Sequence, residues 1–485
     1  MALKITAKKA LESPTHALAR LVAETGYVDL PAPVVHEAKR SIMDFIGDAL
    51  GGGSTDIAAF STAYARRLGG KPECTIIGYE EKTSPLLAAY CNTRIGDAID
   101  ATDYLMNAAH IGCPLCASAL AVCESLKASG KDLLTAVVLG FEVGARLAIA
   151  TSLPPAEGGH EKGGRRQKLP IMEFASAAAA AKTLKLDAEQ IANAFGITGT
   201  NAALRAGRFG EYFPLPTMKY ADVGMEAVTG VNGALLSEIG QTAHPEILSG
   251  DNGLWKTRNT GHCEFNLMVE ELGKKWYFPK NSFKPWPSCR YTHHPLDTFL
   301  KIVNKNGIQV GDIERVLIRI ETRGAGPRFK SKDPIGEVSC EFNQPHAIAM
   351  GAFGIKRGPQ WYAPETMNAP HIREFRHKVD VELKTDWPGS GKWSREDWLV
   401  KVPNIVTVRA KGKTFEGYGE YAKGDPWTKD AFMTDEELKA KFMDLAIWAN
   451  MASETWRHRL EKIMEMVWQL EKLDDVSELT KLLVR

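Results

Sequence analysis

Long apolar runs are scarce in this sequence. Stretches such as residues 133–141 fall far short of the roughly 20 residues that a membrane-spanning helix needs. The opening MALKITAKKALESP has no apolar centre of a secretory signal. A soluble, cytoplasmic protein is therefore expected. An excess of charge of either sign is also missing. The formal net charge is +1, so no overall field recruits nucleic acid or an anionic membrane. Eight cysteines scattered over 485 residues are too thin a set for a disulfide framework, and reduced thiols are expected. Cys113, Cys116 and Cys123 form the one arrangement that invites a metal or redox assignment. They lie in CPLCASALAVCESL, where small residues at helical spacing point to close helix packing rather than to an iron–sulfur or zinc site.

What is present is concentrated in residues 96–114, GDAIDATDYLMNAAHIGCP, where Asp97, Asp100 and Asp103 precede His110. A carboxylate beside an imidazole can orient the ring and bring its pKa towards neutrality, as acid/base chemistry requires. Lys219, in PLPTMKYADVG, and Lys284, in FPKNSFKPWPSCRYTHHP, sit among aromatics and prolines, where an ammonium can be held still against an anion. Together they suggest proton chemistry on a small polycarboxylate without an organic cofactor. A plainer reading sets the aspartates on the solvated face or cap of a helical turn. A magnesium site for a diphosphate is the third reading. It needs a second acidic cluster, which the chain lacks.

A chain of this length is expected to fold as two domains. A helix is predicted from Pro33, with Val34, Val35, Ala38, Ile42, Phe45, Ile46 and Ala49 at helical period until the glycines at 51–53. Further helices are expected over 113–128, closed by Ser129-Gly130, over 131–150, and along the alanine run 175–181 in tight helix contact. Residues 156–168 read as a mobile loop, and Asp187 with Gln190 as a helix cap. Near residue 280 the pattern changes: a helix over 294–306 ended by Gly307, then strands over 315–322, 378–384 and 405–410. A turn at Lys411-Gly412 follows, with a return strand over 414–421. After Gly424-Asp425-Pro426, a Thr434/Glu437 capping box opens further helices. The predicted fold is mainly α: a discontinuous all-helical domain (1–278 and 425–485) interrupted by a smaller α+β domain (279–424).

In this order, SGKDLLTAVVLGFEVGARL, AAAAAKTLKLDAEQIANAFGI, TMKYADVG, FKPWPSCRYTH, EFNQPHAIA and GDPWTKDAFMTDEELKAKF resemble the MmgE/PrpD family. That family includes 2-methylcitrate dehydratase, cis-aconitate decarboxylase and iminodisuccinate epimerase. The resemblance implies a helical domain with an α+β lid, a homodimer, a site between the two domains, and neither metal nor organic cofactor. By position, Asp100 matches the first aspartate of the family's aspartate-rich motif and His110 the histidine ten residues on. Lys219 matches the lysine before the short turn at Gly224, Lys284 that of the F-K-x-aromatic-P segment, and His293 the histidine after it. Two departures stand out. Asp100-Ala-Thr-Asp-Tyr104 replaces a D-F-D-D-T pattern, putting Thr102 where a carboxylate is usual and moving a hydroxyl onto Tyr104. A family histidine ahead of the alanine-rich helix is missing, with Gly164-Arg165-Arg166-Gln167 in that region and His160 nearby.

Dehydration, epimerisation and decarboxylation all require developing negative charge to be held by fixed cations. Lys219 and Lys284 are the candidates. Arg290, Arg205 and Arg208 offer bidentate carboxylate clamps, or equally structural ion pairs. The expectation is a cofactor-independent lyase that eliminates water from a 2-methylcitrate-like acid. His110 is its general acid or base, Asp100 orients His110 or the substrate, and Tyr104 is held in reserve. A decarboxylase or epimerase on the same scaffold, or a binding protein that has kept the fold, are the alternatives.

Overall fold

Ala32-Pro33 opens the helix that the apolar period predicts. Pro33 takes the first turn, where its missing N–H costs nothing, and the helix runs Ala32–Gly52. In the computed structural model it is α2 of a mainly helical protein. The structure describes residues 13–152, 169–203, 214–219, 222–250, 252–258, 260, 263–448 and 453–484. The first helices are α1 (Pro14–Glu24), α2, α3 (Asp56–Leu68), α4 (Pro85–Gly96), α5 (Gly112–Leu126), α6 (Gly130–Ser152), α7 (Ile171–Thr183), α8 (Ala188–Asn201) and α9 (Val223–Glu238).

Helix α5 stops before the expected Ser129-Gly130, because Lys127 takes a left-handed φ of 52° as its C-cap. The cap of α8 is as read: Asp187 and Gln190 exchange side-chain-to-backbone hydrogen bonds. The alanine-rich α7 packs between α6 and α9. The approach is close: a Cβ at Gly230 of α9 would lie 2.3 Å from the Glu173 carbonyl. Helix α6 corrects the expectation about apolar length. It is long and apolar enough, by length and composition, to cross a membrane, yet that stretch is wholly buried inside the protein. Its charged members are paired: Arg146 Nε donates to Glu142 Oε1 at 2.8 Å. Reading only uninterrupted apolar residues concealed it. The predicted loop at 156–168, including His160 and residues 164–167, lies outside the described residues.

Beyond residue 281 the helix Arg290–Asn306, ended by Gly307 at φ 60°, packs on a four-stranded sheet. Its order is Val379–Leu383, Ile313–Ile320, Asn404–Ala410, Lys413–Gly419. The first pair is parallel and the others antiparallel. Lys411 and Gly412 both have positive φ, 53° and 70°, as a two-residue hairpin turn demands. Val316, Ile318 and Ile320 alternate with Val406 and Val408 to form the buried face. The helix Asp435–Trp448 returns to pack on α2, opened by the Thr434/Glu437 box. One apolar cluster gathers the first helices with side chains from 433–483, and a second is built around the sheet. Ile99 and Ala101 belong to the second although they follow α4 directly. The aspartate-rich segment is therefore wedged between the two cores.

Candidate active site

The three aspartates do not line a helical turn. Asp97 is the C-cap of α4, and Asp100 sits at φ 52°, a left-handed conformation that costs a non-glycine residue about 1–2 kcal/mol. Tyr104–Leu105 then forms a short antiparallel pair with Asn281–Ser282. All three aspartates are buried. The solvated-face reading is thus overturned, because burial at this spacing comes from a cap, a left-handed residue and the residue just ahead of a short strand rather than from one face of a helix.

Each carboxylate has its own partner. Lys219 Nζ, itself on left-handed backbone (φ 53°), donates to Asp97 O at 2.7 Å and lies 3.3 Å from Asp97 Oδ2. Lys284 Nζ donates to Asp100 O at 2.8 Å and Oδ1 at 2.7 Å. Burial alone would raise Asp100, but the charges of Lys284, Lys219 and His110 outweigh it and hold the carboxyl below its usual range. Asp103 takes neutral donors: Ser41 Oγ at 2.8 Å, Asn281 Nδ2 at 2.7 Å and the Gly112 N–H at 3.0 Å. Gly112 is required, since a Cβ there would stand 2.1 Å from Asp103 Oδ2. Among the described residues no group of three His, Cys, Asp or Glu side chains is arranged to hold a metal ion.

His110 is oriented from a different place than expected. Its Nδ1 is 2.9 Å from the main-chain oxygen of Asp103. A carbonyl only accepts, so Nδ1 carries the proton and Nε2 is the nitrogen left to exchange one. Asp100 instead senses the charge of the ring.

These residues surround a cavity of about 190 Å³ whose polar wall includes Asp97, Asp100, Thr102, Asn107, His110 and Arg290. Leu169, Ile171, Met172 and Phe342 supply apolar wall. The volume is below the roughly 300–1,000 Å³ of drug-sized pockets, which suits a small ligand. Thr102 Oγ1, Asn107 Oδ1 and Arg290 Nε are buried in this wall without a protein hydrogen-bond partner. Orphaned polar atoms of this kind are costly unless a ligand or solvent satisfies them.

Four expected assignments change. Lys219 and Lys284 do not line the cavity; they stand one layer behind, paired to the aspartates that do. The Arg290 clamp is already occupied: Nη2 donates to both Asp425 oxygens at 3.0 Å, and the guanidinium lies 4.2 Å from the Tyr104 ring centre. Tyr104 gives its hydroxyl proton to Asp425 Oδ1 at 2.6 Å, and burial pushes the phenol well above its ordinary range. His293 is buried with Nε2 3.0 Å from Ser288 O, outside the cavity wall. Burial, then the charges of Lys284 and Arg290, keep its ring neutral. Arg205 and Arg208 lie outside the described residues. Cys113 and Cys289 reach the cavity as thiols, since burial raises both, Cys289 to about 11.

Two buried carboxylates that stand behind the cavity wall escaped sequence reading. Asp425 also accepts from Ser282 Oγ at 3.1 Å and from the Ala422 N–H at 2.9 Å. Its only sequence mark is the turn-like Gly424-Asp425-Pro426. Glu341, fully buried, lies 3.0 Å from Lys219 Nζ, and nothing in EFNQPHAIA singles it out.

Comparison with known proteins covers nearly the whole chain. Cis-aconitate decarboxylase of Mus musculus is 25% identical over 498 residues, spanning 98% of this chain and 94% of that protein. The Homo sapiens protein of the same name is 24% identical, spanning 98% and 95%. That of Aspergillus terreus is 23% identical, spanning 94% and 92%. Residues 16–264 match the MmgE/PrpD N-terminal domain and residues 286–470 the C-terminal domain, and with both halves matched in order the chain belongs to the MmgE/PrpD family.

Proposed function

We propose that this enzyme is a lyase that removes carbon dioxide from a small unsaturated tricarboxylate of the cis-aconitate kind. The observation that carries the reading is His110. Its Nδ1–H is locked onto the Asp103 carbonyl at the wall of a small, polar-lined cavity, so Nε2 is the proton-exchanging atom. Decarboxylation beside a double bond needs one proton and a home for charge. The electron pair of the broken C–C bond forms a new double bond, and the displaced π pair takes a proton at its far carbon. Protonated His110 supplies that proton. Thr102 Oγ1 and the Nε edge of Arg290 offer hydrogen bonds to the carboxylates, while Lys219 and Lys284 temper the negative field of Asp97 and Asp100 from behind.

Dehydration of a 2-methylcitrate-like acid, the leading expectation from sequence, uses the same proton equipment and is the second reading. The relatives named above favour decarboxylation. Incubation of the enzyme with cis-aconitate in D₂O tests the choice. Carbon dioxide release with deuterium at one product carbon is expected. No release from cis-aconitate, with alkene formed from 2-methylcitrate, would make the enzyme a dehydratase. Binding of both acids without exchange, release or elimination would make it a binding protein.

A further inference from the structure

Lys219 is held from two sides. Its Nζ lies 3.3 Å from Asp97 Oδ2 and 3.0 Å from Glu341 Oε2, so it joins the segment after α4 to the short helix Glu337–Glu341. The junction is reinforced by the Leu215 N–H, which donates to Ser339 Oγ at 3.0 Å. The main chain of Glu341 also accepts from the N–H of Cys289 at 2.9 Å, and Cys289 lines the cavity. Glu341 has no exposed surface. Around it are three carboxylates, Asp97, Asp100 and Glu341 itself, against two ammonium groups, Lys219 and Lys284. With the His110 ring neutral and the rest ionised, this buried set carries one uncompensated negative charge beside a cavity meant for an anion, and isolated buried charge is strongly disfavoured.

Asp100 is the least suited to hold the balancing proton, since Lys284 donates to it directly. Asp97 faces the cavity and keeps some exposure. Glu341 is the most enclosed and shares its one cation with Asp97. We propose that Glu341 is a positioning residue that carries the balancing proton, keeping Lys219 directed at Asp97 and leaving the cluster neutral so that a polyanion can enter. This deepens the polycarboxylate reading above and rests on it.

The surroundings agree. Burial, opposed by Lys219 and reinforced by Asp100 and Glu337, pushes the Glu341 carboxyl well above its usual range. Cys340 and the Tyr362 phenol, the other titratable groups that face it, are likewise raised, chiefly by burial. For Lys219, burial is opposed first by the charge of Asp97 and also by that of Asp100, so the ammonium stays charged with Glu341 neutral.

Difference infrared spectra of wild type and Glu341→Gln at pH 7, without ligand, test the proton directly. A protonated-acid carbonyl band present in wild type and absent in the variant is expected. Because Gln mimics the neutral acid, Glu341→Gln should keep kcat and KM for cis-aconitate within about threefold of wild type. The rise of wild-type KM at alkaline pH should vanish in that variant. Glu341→Leu, which offers Lys219 no acceptor, should raise KM about tenfold with a smaller effect on kcat. No acid band, or a Glu341→Gln enzyme that loses turnover, would show an ionised Glu341 and overturn the proposal. Identical KM–pH profiles in wild type and Glu341→Gln would overturn the positioning role. If cis-aconitate does not turn over at all, the decarboxylase reading fails. The infrared comparison still decides the proton, and calorimetric titration with trans-aconitate across pH decides the positioning role.

Discussion

Replacing Lys284 by Met probes the best-defined charge pair in the site. Lys284 is completely buried, its Nζ lies 2.7 Å from Asp100 Oδ1, and it also holds the Asp100 carbonyl at 2.8 Å. Removing one partner of a buried pair leaves the other charge uncompensated, which costs about 3–5 kcal/mol. Lys284→Met/Asp100→Asn removes both charges and should recover at least about 2 kcal/mol relative to Lys284→Met alone. The sign with pH follows. Without Lys284 the Asp100 carboxyl rises above its unfolded value, so the variant gains stability as pH falls. Wild-type Asp100, held low, does not, and the deficit should shrink between pH 7.5 and 5.5. Urea unfolding followed by tryptophan fluorescence measures all four proteins of the cycle. A Lys284→Met protein within about 1 kcal/mol of wild type, or strictly additive single variants, would refute the pairing as the organising interaction. Turnover in Lys284→Met should fall about a hundredfold or more, because Asp100 in the cavity wall changes charge.

His110→Gln should still bind trans-aconitate by calorimetry but lose turnover and solvent deuterium incorporation by about 10²–10⁴; wild-type exchange would move the proton role elsewhere. Gly112→Ala drives a Cβ into the Asp103 carboxylate, at 2.1 and 2.4 Å from its two oxygens, and should cost about 2–4 kcal/mol with a matching loss of activity. An unaltered melting temperature and rate would show that the Asp103 anchor is dispensable. His346, buried and held neutral with a pKa lowered to about 3 by burial first, binds fewer protons folded than unfolded between pH 3 and 6.5. Its contribution is full above pH 6.5 and is lost as pH falls, so wild type should lose about 2 kcal/mol relative to His346→Gln between pH 7 and 5. A pH-independent difference would refute that assignment.

Local interactions were legible in the chain because they close within a few residues. The period of α2, the Asp187/Gln190 and Thr434/Glu437 caps, the Gly307 helix end and the Lys411-Gly412 hairpin each depend on groups that are neighbours in sequence. His110, Asp100, Lys219 and Lys284 could be chosen as residue types suited to proton and charge chemistry for the same reason: their side-chain chemistry is intrinsic. The partner of each group was not intrinsic. Asp100 meets Lys284 across 184 residues and Arg290 meets Asp425 across 135, distances over which spacing carries no geometry. His110 is anchored by a carbonyl, and every residue has one, so no side-chain pattern marks it. The sequence by itself therefore determined a mainly helical chain with proton-transfer groups. Only the tertiary structure, by burying three carboxylates against two ammonium groups, decided which of them face the cavity and which stand behind it.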